Sequence, residues 1–544
     1  MEISNLLMPA ANRFASEYLQ QTDQIKPFFH YTYNQPSSYK KRVDELGNRE
    51  FPREELADHI KRYMGRFTES EEMDHSLEKL RHAESVAVIG GQQAGIFTGP
   101  LYTIHKVISI IKLARQKETE LGIPVVPVFW IAGEDHDYQE VNHVFAVEGT
   151  TAAKWTFPQK VLEKKMVTDI EINKDICKNW ATRLLSHFGE TIHTRNLLQF
   201  IDATLEKSTS FTDFFAGMII ELFKDTGLLL VDSGHPAMRD LESGNFENLI
   251  RQHAAVSECL AAQQEEITRT GFSLMIDAPS NSANLFYYDV KAKERILLEY
   301  DTETSMFLGK NGTVSFSFEE LLTIAREEPR LLSNNVVTRP LMQEWLFPVL
   351  AFIGGPGEIA YWAELKLVFE HFGIKMPPIV PRLNITLLER SVETDLHELQ
   401  LDVSNVILRG VEEERRAFMD SIRDRDLETV FQTAKDAILQ QYGHFHEKTT
   451  EIDSSLLPML RKNESIVLGQ LEFMQKKLED AIRQKHQVTL DKYYRASLAL
   501  RPEGLPQERL WNVLYYLNKN GLDFVSRLTE LDYEFDGTHK LVRI

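Results

Sequence analysis

The chain has 544 residues, of which 43% are hydrophobic and 26% are charged, so it has the length of about three domains and a composition that excludes a disordered protein. Its net charge of −20 disfavours nucleic acids and acidic membranes as partners. The two cysteines, Cys177 and Cys259, form no CxxC pair, so the sequence predicts neither a disulfide framework nor a zinc–thiolate site.

The sequence favours a cytoplasmic location. The first 21 residues lack the apolar core of a signal peptide. The most apolar stretch, residues 123–132, is too short to span a bilayer. We therefore expect no transmembrane helix and no membrane partner.

Residues 1–150 are predicted to form the first half of an α/β core. A β-branched run begins at residue 85, a glycine-rich loop follows, and a helical pattern covers about 100–116. The run IPVVPVFWI at 123–131 is continuously apolar, as in a parallel strand that is covered on both faces. These segments predict a βαβ unit.

Residues 227–386 are predicted to form the second half of this core. Strands are expected in GLLLVDSG, from residue 227, and in PPIVPRL, at 377–383. Residues 151–226 are mostly helical in pattern and too long for an αβ loop, so we expect a helical insertion there. Alternating residues over 273–300 predict a hairpin in a second, β-rich insertion.

Residues 387–500 are predicted to form a coiled-coil arm. They are rich in charged residues, and their apolar residues recur at spacings of three and four. We expect an antiparallel hairpin of helices that reverses near Gly443. Such arms commonly pair with another subunit, so a homodimer is expected. The aromatic segment 501–544 is expected to pack on the core.

The first candidate site is the glycine-rich loop after the first core strand, with Gly90, Gly91, Gly95 and Gly99. Such a loop brings backbone N–H groups to a ligand, and the next helix offers its N-terminus, so the pattern favours a phosphate or carboxylate. Thr98 is the predicted N-cap of this helix. The loop matches neither a dinucleotide fingerprint nor a Walker motif, and a plain strand-to-helix turn remains the alternative.

The same helix carries two further candidates, one to two turns after its start. His105 and Lys106 are in reach of a ligand at the loop if they face it. A packed histidine and a surface lysine are the alternatives.

The second candidate site is WIAGEDHDYQEVNH, which directly follows the second buried strand. Ligands of open α/β sheets bind at the carboxyl ends of strands, which is where Trp130, Glu134, Asp135, His136 and Asp137 are expected. The carboxylates would bind an ammonium, a ribose or Mg²⁺, and the histidine would transfer a proton. A solvated turn is the alternative. A metal site built from Asp135, His136, Asp137 and His143 is a weaker alternative, because the side chains of consecutive residues diverge.

The third candidate site lies in SNNVVTRPLMQEW and FIGGPGEIAYWAE. Arg339 is a natural bidentate partner of a carboxylate or phosphate, and Asn334 or Asn335 would donate beside it. The second segment repeats the glycine-rich pattern and opens a helix that carries Glu358 and Tyr361. Two glycine-rich loops suggest two anionic substrates, although both segments also contain the prolines of ordinary helix starts.

An aromatic C-terminal region offers a further place for a nucleotide. Tyr494, Arg501, Trp511 and Asn512 would stack on a base and hydrogen bond to it. Packing on the core is the alternative interpretation of these residues.

Taken together, these segments resemble a known family. GGQQAGIFTGPLYTIHK, WIAGEDHDYQEVNH, NNVVTRPL, GGPGEIAYW and PPIVPRLNITLLE, followed by the coiled-coil arm, are similar to the bacillithiol biosynthesis cysteine-adding enzymes. The resemblance implies a ligase of low-GC Gram-positive bacteria that joins L-cysteine to glucosaminyl-malate, the last step in making bacillithiol.

The resemblance also implies a relationship to class I aminoacyl-tRNA synthetases. It implies a Rossmann-like parallel sheet with connecting-peptide insertions and an added coiled coil. Gln92, Gln93, Ala94 and Gly95 stand in the place of the HIGH signature, whose histidines are absent. No KMSKS loop is present, and Arg382 and Asn384 stand at a comparable place.

Joining cysteine through an amide requires activation of its carboxylate, for which ATP and Mg²⁺ are the expected cofactors. We expect a cysteinyl adenylate that the glucosamine amine attacks. The predicted catalytic residues are Asp135, His136, Asp137 and Lys106. The predicted substrate-binding residues are Gln92, Gln93, Thr98, His105, Trp130, Glu134, Asn335, Arg339, Glu358 and Tyr361. The predicted nucleotide-binding residues, for ATP or ADP, are Gly90, Gly91, Gly95, Gly99, Arg382, Asn384, Tyr494, Arg501, Trp511 and Asn512.

Two other functions remain open from the sequence. A nucleotide-sugar-dependent transferase would also have an α/β core with glycine-rich loops. A non-catalytic scaffold would act through its coiled coil. Aminoacylation of tRNA is disfavoured because the acidic chain would repel a polyanion.

Overall fold

The computed structural model describes all 544 residues and divides into two compact units. The first unit comprises Met1–Glu148, Ala152–Leu387 and Leu505–Ile544. The second comprises Gly149–Thr151 and Leu388–Gly504. No helix has the length and apolar character needed to cross a membrane.

The secondary structure consists of strands and helices that alternate through most of the chain. The strands are β1 (Glu2–Leu6), β2 (Val86–Gln92), β3 (Val125–Ile131), β4 (His143–Glu148), β5 (Thr151–Thr156), β6 (Leu229–Asp232), β7 (Ser282–Asp289), β8 (Glu294–Asp301), β9 (Met306–Gly309), β10 (Ser315–Ser317), β11 (Leu332–Asn334), β12 (Val349–Gly354), β13 (Ile379–Pro381), β14 (Ile385–Leu388) and β15 (His539–Arg543). The helices up to residue 371 are α1 (Arg13–Gln20), α2 (Pro36–Leu46), α3 (Arg53–Met64), α4 (Glu71–Arg81), α5 (Leu101–Leu121), α6 (Tyr138–Val141), α7 (Lys174–Phe188), α8 (Thr194–Lys207), α9 (Phe211–Leu222), α10 (Pro236–Arg251), α11 (His253–Arg269), α12 (Phe318–Glu327), α13 (Thr338–Leu346), α14 (Pro356–Ala363) and α15 (Lys366–His371). The remaining helices are α16 (Arg390–Glu398), α17 (Val403–Arg409), α18 (Glu412–Ser421), α19 (Arg425–Ile452), α20 (Leu457–Lys485), α21 (Gln487–Leu500), α22 (Gln507–Leu510), α23 (Val513–Asn520) and α24 (Phe524–Thr529).

A five-stranded parallel sheet forms the core of the first unit, in the order β13-β12-β2-β3-β6. Every residue of β3 is buried, which explains its continuously apolar sequence. The connecting helix α5 ends at Gly122, whose φ of +69° suits a glycine helix terminus. These elements confirm the predicted α/β class with a Rossmann-like parallel sheet.

The strand order reverses between β2 and β12. From β2 the chain builds outward through β3 to β6, and it returns to place β12 and β13 on the other side. Connections on the two sides of such a point diverge, so a crevice opens at the carboxyl ends of β2 and β12.

The β-rich insertion is larger than the predicted hairpin. Strands β7 and β8 pair antiparallel as expected, and they belong to a five-stranded sheet in the order β10-β9-β8-β7-β11. Strand β11 ends four residues before α13 begins, so this sheet fixes the start of the helix that carries Arg339. A third sheet, β1-β15-β14, pairs the two ends of the chain in the first unit.

The second unit contains the coiled-coil hairpin of α19 and α20, which confirms the predicted coiled coil. Contacts run antiparallel along the two helices, from Lys435–Glu472 to His446–Glu464. The reversal predicted near Gly443 is wrong, because Gly443 lies inside α19 and the chain turns at Asp453–Leu456. A glycine costs only about 1 kcal/mol in a helix, and Asp453, an N-cap whose side chain accepts from Ser455, makes the turn.

Candidate functional site

The crevice of the parallel sheet contains a cleft of about 310 Å³. It lies at the carboxyl ends of β2, β3 and β12 and is also lined by α5, α13 and α14. Its cationic lining residues are Lys106, Arg339, Arg382 and Arg509. The volume lies at the lower end of the range for small-molecule sites. Asp135 and Glu358 also line the cleft, so its lining has four cations and two carboxylates, a balance that suits an anionic ligand.

Lys106 is a buried donor with three protein acceptors. Its Nζ lies 2.7 Å from the Gly91 carbonyl, 3.1 Å from Gln92 Oε1 and 2.5 Å from Glu358 Oε2. Glu358 in turn accepts the Gly355 N–H over 2.7 Å at the start of α14. Burial lowers the pKa of Lys106 and the Glu358 carboxylate opposes this shift, the net result being a pKa below the usual value. An ammonium has three protons, so a phosphate would have to replace one of these acceptors.

Arg339 joins the cleft to a buried carboxylate. Its Nε donates to Glu134 Oε1 over 2.8 Å, and Glu134 is fully buried. The Arg339 side chain is 24% exposed and lines the cleft, and its Nη atoms make no hydrogen bond within the protein. The pair therefore leaves the guanidinium fork open to a ligand carboxylate or phosphate.

Asp135 also lines the cleft. Its Oδ2 accepts from Gln93 Nε2 over 2.7 Å, and its Oδ1 lies 3.7 Å from Arg295 Nη1. Burial raises the pKa of this carboxyl, but Arg339 and Arg295 together with the Gln93 hydrogen bond outweigh burial and hold it below the usual value. Asp135 is thus an ionised group facing the cleft.

The next two residues of this segment diverge from Asp135. His136 and Asp137 do not line the cleft. His136 Nδ1 lies 3.7 Å from Asp135 Oδ1, and burial together with Arg295 lowers the pKa of its imidazole. Asp137 is exposed and caps α6 by accepting the Glu140 N–H over 3.3 Å. Asp137 therefore has a structural role. Its side chain does not reach the cleft, so its position does not support the predicted catalytic role.

Only part of the glycine-rich loop lies at the cleft. Gly91 lines the cleft, whereas Gly90, Gly95 and Gly99 do not. A Cβ on Gly95 would lie 2.6 Å from the Gly99 Cα, so the loop folds tightly on itself. This close approach requires glycine and serves the turn rather than a ligand.

The N-terminus of α5 is covered by protein. The Leu101 N–H donates to the Trp511 carbonyl over 2.8 Å, and Asn512 Nδ2 donates to the carbonyls of Phe97 and Gly99 over 2.9 and 2.7 Å. The prediction that this helix end is open to a ligand is therefore wrong. Nothing in the local sequence indicates that Asn512, 413 positions after Gly99, helps to close it.

The predicted role of Thr98 as N-cap is also wrong. Pro100 occupies the N-cap, and Thr98 precedes it with a φ of +74°. Thr98 is fully buried, its hydroxyl has no hydrogen-bond partner, and it does not line the cleft. Its predicted contact with substrate is thus not supported by its position.

Arg382 belongs to a buried cluster with Glu508 and His105. Its Nη atoms hold both Glu508 oxygens over 2.5 and 2.7 Å, and His105 Nδ1 lies 2.9 Å from Glu508 Oε2. Burial raises the pKa of Glu508, but Arg382 and His105 outweigh it and hold it far below the usual value. Arg382 reaches the cleft, His105 is fully buried behind it, and Asn384 accepts from Arg382 over 3.4 Å.

The other predicted substrate residues are partly brought together. Trp130, Glu358 and Tyr361 line the cleft with Gln92 and Gln93. Asn335 does not: its Oδ1 accepts the N–H groups of Val337 and Thr338 over 2.8 and 3.1 Å and so supports the start of α13.

The aromatic C-terminal candidates do not form one group. Tyr494 and Arg501 belong to the second unit, where Tyr494 accepts from Arg415 over 3.1 Å and Arg501 donates to the Ile407 carbonyl over 2.7 Å. Trp511 and Asn512 belong to the first unit and are buried. Asn512 is occupied by the hydrogen bonds to the glycine-rich loop.

Several cleft residues were missed from the sequence. Tyr102 and Gln343 line the cleft four residues before Lys106 and four after Arg339, so the helical spacing of i to i+4 could have found them. Arg509, which lines the cleft, and Arg295, which lies 3.7 Å from Asp135 without lining it, carry no local signal. No group of three or more His, Cys, Asp and Glu side chains in the chain could hold a metal ion.

Comparisons with known proteins match the whole chain. The family described as "Bacillithiol biosynthesis BshC, N-terminal Rossmann-like domain" matches residues 1–383, and the "C-terminal coiled-coil domain" of the same family matches 385–544. Proteins of Geobacillus sp. (strain WCH70), Geobacillus thermodenitrificans and Bacillus cereus (strain AH187) are 42%, 43% and 41% identical over 544 residues, with both chains fully covered. Each of these relatives bears the name "Putative cysteine ligase BshC".

Proposed function

The chain belongs to the BshC family of bacillithiol biosynthesis, and from this premise we propose that it is a cysteine ligase that joins L-cysteine to glucosaminyl-malate as an amide. The observation that carries the proposal is the cationic cleft at the reversal of the strand order. In a chain with a net charge of −20, the cleft gathers Lys106, Arg339, Arg382 and Arg509. Glu358, Glu134 and Glu508 pair with three of these cations, so the Arg339 Nη atoms and Arg509 are the groups left to attract a small anion.

Arg339 is the proposed partner of a malate carboxylate. Its Nε is fixed by Glu134, so the plane of the guanidinium is set before a ligand arrives. A pre-oriented fork binds a carboxylate with two parallel hydrogen bonds and loses little side-chain entropy. Arg509, at the same cleft, is available for the second carboxylate.

ATP is the proposed co-substrate that activates the cysteine carboxylate. Lys106, beside the Gly91 backbone, is the cation that would meet its phosphates. Mg²⁺ is the proposed counter-ion of these phosphates, with which it would arrive while keeping most of its water. ATP binding in a second place, by Trp511 and Asn512, has less support because Asn512 is already occupied.

Asp135 and His136 are the side chains that we propose to interact with the amino groups of the substrates. Asp135 is held ionised at the cleft and suits the ammonium of cysteine or of glucosamine. His136 has a lowered pKa and is neutral near pH 7, so it can accept the proton that the attacking amine must lose. His136 is set back from the cleft, so a water would carry the proton between them.

We also propose that the protein acts in the cytoplasm as a homodimer joined through the coiled coil. The helices α19 and α20 expose Val430, Phe445, Met459 and Phe473, each more than half exposed. Large apolar side chains on a long helical hairpin suit an identical hairpin as the covering surface.

The purified protein tests the ligase proposal. It is incubated with L-cysteine, glucosaminyl-malate and ATP, and bacillithiol is measured by mass spectrometry. We expect bacillithiol with the wild type and about a hundredfold less with Arg339→Ala. Arg269→Ala, which removes an arginine 64% exposed on α11, is the matched control. Equal product from wild type and Arg339→Ala would contradict the assignment of the cleft.

A further inference from the structure

A second layer of contacts lies behind the cleft, at the carboxyl end of β6. Asp232 is the last residue of β6, is 1% exposed and pairs with Ile131 of β3. Its Oδ1 accepts the Gly234 N–H over 2.9 Å. A Cβ on Gly133 would overlap this oxygen, so the carboxyl group packs directly on the backbone that follows β3.

Thr168 links Asp232 to that backbone. Its hydroxyl donates to Asp232 Oδ2, and its N–H donates to the Gly133 carbonyl over 3.0 Å. The neighbouring Val167 N–H donates to the Asp135 carbonyl over 2.7 Å. The turn from Gly133 to Asp135 is thus held at both ends by one short segment, and Asp232 anchors that segment.

One side chain of this turn lines the cleft, and another holds a residue that lines it. Glu134 holds Arg339, and Asp135 lines the cleft and accepts from Gln93. A shift of the turn would move the Arg339 guanidinium and the Asp135 carboxylate together, although Asp232 and Thr168 touch neither the cleft nor Arg339.

We propose that Asp232 and Thr168 are positioning residues, a latch that fixes the Glu134–Asp135 turn and thereby aims Arg339 and Asp135 into the cleft. The effect of the latch on catalysis rests on the proposed ligase function. The effect of the latch on the position of the turn is independent of that function. Misplacement of a binding group by about 1 Å can cost about a hundredfold in rate, so such a latch matters even though no substrate touches it.

The latch is sensitive to pH. Burial raises the pKa of Asp232 to about 7, and the hydrogen bonds from Thr168 and Gly234 oppose this rise. Two charged groups nearby also act on it: Asp213 of α9 raises the pKa further, and Arg239 of α10 lowers it. Tyr63 of α3 faces it as well and stays neutral because burial raises the pKa of its phenol. The hydrogen bonds favour the ionised form, so the latch tightens as the pH rises through about 7.

Hydrogen–deuterium exchange of residues 130–138 tests the latch without any substrate. We expect Thr168→Val and Asp232→Asn to exchange at least about fivefold faster in this peptide, and Thr168→Ser, which keeps the hydroxyl, to match the wild type. Thr103→Val is the matched control, because the Thr103 hydroxyl is buried and has no hydrogen-bond partner. Unchanged exchange in both Thr168→Val and Asp232→Asn would overturn the proposal.

Steady-state kinetics test the effect on the cleft. We expect Thr168→Val to raise KM for glucosaminyl-malate about tenfold with a smaller change in kcat, and Thr168→Ser to restore it. Asp232→Asn should remove an ionisation near pH 7 from the pH profile of KM. An unchanged KM in Thr168→Val would overturn the positioning role. If the wild type makes no product, the ligase proposal fails alone, and the exchange experiment still decides whether the latch exists.

Discussion

Arg339 and Glu134 lie 205 positions apart and form a hydrogen-bonded ion pair of 2.8 Å at the edge of the cleft. Glu134 is fully buried, whereas Arg339 is 24% exposed. Glu134 therefore lies in the core and Arg339 reaches the cleft. Mutations can separate the effect of the pair on stability from its effect on ligand binding.

Arg339→Ala is expected to lower both activity and stability. It leaves the Glu134 carboxylate buried without its partner, which costs about 3 kcal/mol of the free energy of unfolding. The double variant Glu134→Gln with Arg339→Ala removes the buried charge and should regain most of this stability while remaining inactive. Urea unfolding and product formation measure the two effects. Recovery of activity in the double variant would show that Arg339 does not bind substrate.

Glu358→Gln is expected to shift the pH dependence of the reaction. The Glu358 carboxylate is the group that raises the pKa of buried Lys106, so its neutralisation lowers that pKa further. The protonated fraction of Lys106 then falls at a lower pH, and the alkaline limb of kcat moves toward neutral pH. A pH–rate profile from about pH 6 up to 10.5, the usual pKa of a lysine, measures this shift. An unmoved or upward-shifted alkaline limb would contradict a protonated Lys106 in the reaction.

Asp232→Asn is expected to change how stability depends on pH. The folded-state pKa of Asp232 is about 7, above the unfolded value of about 3.9, so the folded protein binds this proton more tightly. The wild type therefore loses stability relative to the variant as the pH rises from about 4 to about 7, and the difference is constant above that. Urea unfolding of both proteins at several pH values measures it. A difference that does not vary with pH would show that Asp232 titrates normally.

Phe445→Asp together with Met459→Asp is expected to dissociate the proposed dimer. Both side chains are more than half exposed on the hairpin, 51% and 65%, and a charge there would be buried on association. Light scattering during gel filtration measures the mass. Val488→Asp, an equally apolar and exposed position on α21, is the control and should stay dimeric. A wild-type monomer would contradict the dimer.

The core strands could be predicted from the sequence because their burial leaves a local signal. The run at 123–131 is apolar throughout since β3 is covered on both faces, and Gly227 marks the turn before β6. The reversal of the coiled coil was misplaced because Gly443 is tolerated within a long packed helix, whereas the true turn carries the weaker signal of Asp453.

The site could be predicted only in part, because its geometry depends on distant residues. Lys106 and Asp135 were found from their place after core strands. The closure of the glycine-rich loop by Asn512, and the pairing of Arg382 with Glu508 over 126 positions, leave no local pattern. Thr98 was misassigned for this reason, since a threonine before Gly-Pro resembles an N-cap whether or not the chain takes a positive φ there.

Thiol analysis of cells is the most direct test of the cysteine-adding role. Bacillithiol and glucosaminyl-malate are measured by mass spectrometry in a strain that lacks this gene and has no second copy. We expect loss of bacillithiol and accumulation of glucosaminyl-malate, with restoration by the wild-type gene and not by the Arg339→Ala gene. Normal bacillithiol in the deletion strain would contradict the assignment of this protein to the cysteine-adding step.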